Sequence, residues 1–145
     1  MPVDSSFRWA PLVPELLVAD IRRSLGFWCD LCGFAVAYHR LEDGFVFLDQ
    51  EGAQVMLGET GHGREWITGA MDRPLGRGLH FQIRLSDIEP ILQRLRAAGW
   101  PLFMEPEEKW YRADSIETGQ RQFLVQDPDG YLIRFAMPLG ERSAA

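Results

Sequence analysis

Residues 122–137 read QFLVQDPDGYLIRFAM, and the alternation within them decides the fold. Two strand-like runs flank Asp127-Pro128-Asp129-Gly130. Pro128 sets φ at the second turn position, the Asp127 carboxylate can accept from the turn's own amides, and Gly130 tolerates positive φ at the exit. The returning run places Tyr131, Ile133 and Phe135 on one face and Leu132, Arg134 and Ala136 on the other. One face offers apolar bulk to a core. The other presents an arginine where a packed sheet would want nothing charged.

Working upstream, Glu105 to Gly119 reads as a polar loop holding Trp110 and Tyr111 among Glu105, Glu107, Glu108 and Asp114. Pro101 to Met104 is a short strand before it. Asp87 caps a helix in which Ile88, Ile91, Leu92 and Leu95 share a face; Pro90 suits its first turn and Gly99 ends it. Leu79 to Leu85 is a strand with Leu79, Phe81, Ile83 and Leu85 on one side and His80, Gln82 and Arg84 on the other.

The same order occurs earlier in the chain. An extended run from Leu12 to Ala19 leads to Asp20, a helix cap, and Ile21, Leu25, Trp28, Cys29 and Cys32 form one helical stripe closed by Gly33. Strands follow at Phe34 to Arg40, Phe45 to Asp49 and Ala53 to Leu57, with turn signals at Glu42-Asp43-Gly44 and Gln50-Glu51-Gly52. Phe45 and Phe47 share a strand face, whose direction the period leaves open. Asp20-Ile21 matches Asp87-Ile88, and Gly33-Phe34 matches Gly99-Trp100, so the chain repeats itself. The expected fold is α+β, a single domain of two βαβββ modules (about 9–58 and 78–138) joined by a Gly-rich connector, 59–77, anchored by Trp66. Residues 1–8 read as polar and loose, and the tail from Pro138 as weakly specified.

Composition narrows the function. The 145 residues carry 15 basic and 21 acidic side chains, net −6, which disfavours a nucleic-acid partner and favours a cationic ligand at long range. No apolar run approaches the roughly 20 residues that span a bilayer. The start, MPVDSSFRWA, has no basic end followed by an apolar block, so it does not read as a signal peptide, and the expected location is cytoplasmic. Cys29 and Cys32 fall near a helix's apolar stripe at its end, and read as small core residues rather than a redox pair. There is no GxSxG, P-loop or GxGxxG, and His39 and His62 have no ligand spacing to His80.

The strings PELLVAD (14–20), FWCDLCGF (27–34), Gly78 to Asp87 and Phe123 to Phe135 around DPDG, taken with the repeat, resemble the glyoxalase/bleomycin-resistance/extradiol-dioxygenase superfamily, the vicinal-oxygen-chelate proteins. The resemblance covers residues 11–137. It implies a cupped, barrel-like mixed sheet with helices outside, in a homodimer, with the modules pairing either within one chain or between two. In the enzymes of that family, a divalent metal sits in the cup. The ligand positions are seven residues before each capping Asp and four beyond each turn glycine. Here those are Val13, His80, Met56 and Arg134. A thioether is a poor ligand for a hard ion and a guanidinium repels it.

The implied function is therefore the family's binding branch: metal-free, cofactor-free sequestration of a cationic aromatic antibiotic of the bleomycin type in clefts at the dimer interface. Trp110-Tyr111-Arg112, Arg121 to Val125 and YLIRF look like that branch. Trp110, Tyr111 and Trp66 are candidate aromatic walls. His80, Gln82, Arg134, Met56 and Glu15 are candidate cup residues, with Glu15 or an anionic group on the guest as partner to Arg134. The alternative is a metal-dependent glyoxalase-like isomerase or thiol transferase using His80.

Overall fold

A computed structural model describes residues 3–145. The chain is α+β, with two four-stranded mixed sheets of identical topology. It divides into two compact units. The first runs to Leu75 and takes in Asp127–Asp129; the second comprises Gly76–Gln126 and Gly130–Ala145.

In the first unit, β1 (Glu15–Val18) leads into α1 (Ile21–Leu25), then β2 (Ala35–Arg40), β3 (Phe45–Gln50) and β4 (Ala53–Glu59). The strand order is β1-β4-β3-β2, with β1 parallel to β4 and the other pairs antiparallel. Asp20 is the N-cap: its carboxylate accepts from the amides of Arg22 and Arg23 at 3.0 and 3.2 Å. The α-helix expected to reach Cys32 ends at Leu25 and widens into a π-helical stretch, Gly26–Leu31. The wider pitch carries Phe27 as well as Trp28 into the core, at 1% and 0% exposure. Register puts Leu16, Leu57, Val46, Leu48 and Val55 on one face of the sheet, and all are buried.

The second unit repeats the plan. β5 (His80–Arg84), α2 (Glu89–Ala97), β6 (Leu102–Ala113), β7 (Ile116–Gln126) and β8 (Leu132–Ser143) give the order β5-β8-β7-β6, again with the first strand parallel to the last. Ile83, Ile133, Phe135, Phe123 and Val125 are buried, as are Ile91, Leu92 and Leu95 of α2. Asp87 stands one residue before the helix's N-cap, Ile88, and accepts from the amide of Glu89. Leu79 precedes the strand and is exposed, against the expectation that it shares the core face of β5.

The largest departure is in residues 105–119. The segment expected as a loop is most of a β-hairpin, in which the 12-residue β6 pairs with β7 from Leu102↔Val125 to Ala113↔Ile116. Solvent reaches both faces of its distal half, so the sequence there alternates nothing and reads as a loop. Ladder hydrogen bonds hold it as strand. β8 likewise continues through the expected weak tail to Ser143, paired with β7 across a register shift at Gly119/Gln120. The connector from Thr60 to Leu79 contains no helix or strand. No helix among the described residues is long and apolar enough to cross a membrane.

Candidate functional site

Each sheet has a face turned away from its unit's helix, and six of the eight expected site residues divide between these faces, all but Trp110 and Trp66. On the second unit, Gln82 stands opposite Arg134, and Arg134 opposite Leu124. Residues directly opposite in a sheet share a face. Gln120, Gln122, Glu107 and Tyr111 fall on that same face by the β6–β7 register. Their side chains form a chain of hydrogen bonds. The Gln120 amide nitrogen donates to Gln82 Oε1 at 3.0 Å and to Gln122 Oε1 at 2.6 Å. Gln122, 2% exposed, donates from Nε2 to Glu107 Oε1 at 3.0 Å and to the Tyr111 hydroxyl at 2.7 Å. Both of its N–H groups are thereby used.

Arg134 closes this row. Its guanidinium carbon lies 5.9 Å from the Tyr111 ring centre, and Nη1 is 3.5 Å from the Tyr111 hydroxyl. Its Nε is buried and unpartnered. Among the described residues, no carboxylate lies within ion-pair distance of it. Glu15, the expected partner, faces Met56 across β1 and β4 in the first unit. His80 shares the strand parity of Gln82 and is exposed.

On the first unit, the face opposite the helix carries Glu15, Met56, Phe47 and Tyr38 in one cross-strand row, with Phe45 and Arg40 in the next. This settles the direction of Phe45 and Phe47. The Tyr38 and Phe47 rings stack at 5.3 Å between centroids with 19° between planes, and the Arg40 guanidinium lies 4.2 Å from the Phe45 ring. Phe7 and Trp9 complete the group: Trp9 meets Phe47 edge-on at 5.1 Å and Tyr38 at 5.9 Å. Residues 7–10, expected in part to be loose, are held because buried Gln54 donates to the Arg8 carbonyl and accepts from the Ala10 amide. Trp9 and Tyr38 are binding candidates that the sequence reading missed. The available signal was Phe-Arg-Trp, two aromatics at strand spacing beside a charged residue.

Trp110 and Tyr111 do not share a face. They are adjacent on a strand, so they point to opposite faces. Trp110 lies flat on Gly119, where a Cβ would fall 2.7 Å from the indole, and Arg142 covers its other side at 4.2 Å. Trp66 is 78% exposed, with Arg64 5.6 Å from its ring. His39 lies on β2, and His62 pairs with Glu59 at 2.8 Å. Glu59 is held below the usual carboxylate range, first by the Ile21 amide and then by His62. Burial, with Asp30 adding to it, pushes the Cys29 thiol up to about 11.

The resemblance implies a divalent ion held by four positions. Of Val13, Met56, His80 and Arg134, only His80 offers a suitable atom, and Arg134 stands unneutralised in the same sheet. Among the described residues, no group of three or more His, Cys, Asp or Glu side chains is placed to hold a metal ion. The residues do not fit the ion.

Comparison with known proteins follows the same line. The profile of the Glyoxalase/Bleomycin resistance protein/Dioxygenase superfamily matches residues 11–135. Bleomycin resistance proteins of Geobacillus stearothermophilus and Staphylococcus aureus are 29% identical over 135 residues, covering 85% of this chain and 92% of theirs. TioX from Micromonospora sp. ML1 is similar in structure, with TM-score 0.66 at 24% identity over 90% of this chain and 100% of TioX. So is lactoylglutathione lyase from Agrobacterium tumefaciens, with TM-score 0.59 at 18% identity over 88% and 92%. At these identities the two structures speak to the fold alone.

Proposed function

We propose a function from one premise, that the chain belongs to the glyoxalase/bleomycin resistance protein/dioxygenase superfamily: it is a metal-free protein that sequesters a bleomycin-type drug. The observation that carries this reading is Arg134, a guanidinium where a metal-binding relative needs a carboxylate. The relatives called bleomycin resistance proteins supply the ligand class. The protein acts as a cytoplasmic homodimer and holds a cationic aromatic guest in clefts at the dimer interface.

In this reading Tyr111, Arg134, Gln82 and His80 are the ligand-binding residues of the second unit, and Met56 and Glu15 are those of the first. Glu15 supplies the carboxylate for a cationic tail, which the protein's net −6 charge helps to recruit. Trp110 and Trp66 are separate wall residues, since neither belongs to the hydrogen-bonded row around Gln122. Trp110→Ala should weaken drug binding about tenfold or more while leaving the fold intact.

Expression in a drug-sensitive bacterium tests the function: protection should appear, and the drug should be recovered unmodified. No protection, or recovery of a modified drug, would count against sequestration. The second reading, a glyoxalase-like metalloenzyme, is favoured by one observation, exposed His80 at an implied ligand position. Stoichiometric divalent metal that is lost in His80→Ala would establish it in place of the first.

A further inference from the structure

The hydrogen-bonding roles on the second unit's open face are unbalanced around Arg134, because Glu107, the carboxylate of the row, is bonded to Gln122 rather than to the guanidinium. Apart from the second oxygen of Glu107, each side-chain acceptor in the row already has a donor. Gln122 Oε1 and Gln82 Oε1 both receive the Gln120 amide, and Glu107 Oε1 receives Gln122. The Tyr111 hydroxyl receives Gln122 at 2.7 Å and has Arg134 Nη1 at 3.5 Å, which leaves its own proton to donate outward. Donors remain in excess. Arg134 has five N–H groups and one long contact, with its Nε buried and unpartnered. Gln82 accepts through Oε1 while its amide protons have no partner among the described residues.

A buried guanidinium N–H without an acceptor is costly, and the cost falls when an anionic oxygen arrives. Arginine's planar fork is matched to two oxygens on one atom. Resting on the reading of this face as a binding surface, we propose that Arg134, with the Tyr111 hydroxyl and the Gln82 amide, forms an anion subsite. It takes a carboxylate, sulfonate or phosphate ester on an otherwise aromatic guest. The preferred guest therefore carries an anionic group besides any cationic tail, and a purely cationic aromatic leaves the subsite unfilled.

The test uses three probes of one shape: naphthoate, neutral naphthamide and cationic naphthylmethylammonium, each titrated against the full-length protein by calorimetry. Copper-free bleomycin is titrated in parallel. Naphthoate should bind about tenfold tighter than naphthamide. That preference should shrink with added salt, disappear in Arg134→Gln and return in part in Arg134→Lys. Tyr111→Phe should lower the ratio of naphthoate to naphthamide affinity, whatever it does to naphthamide itself, which keeps the test usable if Arg134→Gln fails to fold. Equal affinity for naphthoate and naphthamide, or a preference that survives in a folded Arg134→Gln, would overturn the subsite. If bleomycin binds while naphthoate shows no preference, only the subsite fails. If nothing binds, the binding reading fails with it.

Discussion

Gln122 is the pivot of the polar row, and the cost of removing it can be worked from its bonds. Gln122→Leu deletes three of them: an amide acceptor to Gln120, a donor to Glu107 and a donor to Tyr111. Neutral bonds contribute about 0.5–1.5 kcal/mol net, and one to a carboxylate about 1.5–3. Leucine fills similar volume in a site 2% exposed, so apolar burial offsets part of the loss. The variant should lose about 2 kcal/mol. Tyr111→Phe leaves one buried Gln122 N–H without a partner and should cost about 1–2 kcal/mol. The bond between the two side chains is counted in both variants. The double variant should therefore be less destabilised than the sum, with a coupling of about 1 kcal/mol. Urea unfolding followed by tryptophan fluorescence measures all four proteins, and equal m values show that the unfolded states are comparable. Additivity within about 0.3 kcal/mol would refute the row as drawn.

Three other expectations follow from single contacts. Gly119→Ala places a Cβ 2.7 Å from the Trp110 ring, so it should destabilise by about 1–3 kcal/mol through overpacking and displace the indole from Arg142, read as a shifted emission maximum. Cys29, its thiol raised to about 11, should react slowly with iodoacetamide at neutral pH. Because the folded pKa lies above the unfolded one, the Cys29 contribution to stability should be flat below pH 9 and fall as pH rises towards 11; fast labelling of folded protein at pH 7 would contradict this. Gln54→Ala frees the Arg8 carbonyl and the Ala10 amide, so limited proteolysis should cleave near residues 7–10 in that variant before the wild type; identical cleavage would show that other contacts hold the segment.

Much of the fold was legible because local signals and tertiary structure agree. Asp127-Pro128-Asp129-Gly130 forms the predicted turn, with the Asp127 carboxylate accepting from the Asp129 amide. Gly33 and Gly99 adopt the positive φ expected after each helix. The β6–β7 hairpin was hidden because Glu105 to Ala113 shows no apolar–polar alternation: its two aromatics are adjacent among charged residues, and solvent reaches both faces. The loop reading then treated Trp110 and Tyr111 as one wall, although a strand turns neighbours apart. Phe7 and Trp9 were missed for a different reason. What fixes them is Gln54, more than 40 residues away, and no local pattern announces such a contact. Phe45 and Phe47 needed the register Phe47↔Met56 to acquire a direction. The parity of Arg134 came directly from the sequence, but the lack of an ion-paired carboxylate beside it is visible only once the strands of its own sheet are in register.

Calorimetric titration of the full-length, metal-stripped protein with copper-free bleomycin tests the central claim most directly. The account predicts saturation near one drug per chain, roughly micromolar or tighter, unchanged when chelator is present. Absence of saturable binding, or binding that appears only after a divalent ion is restored, would contradict it.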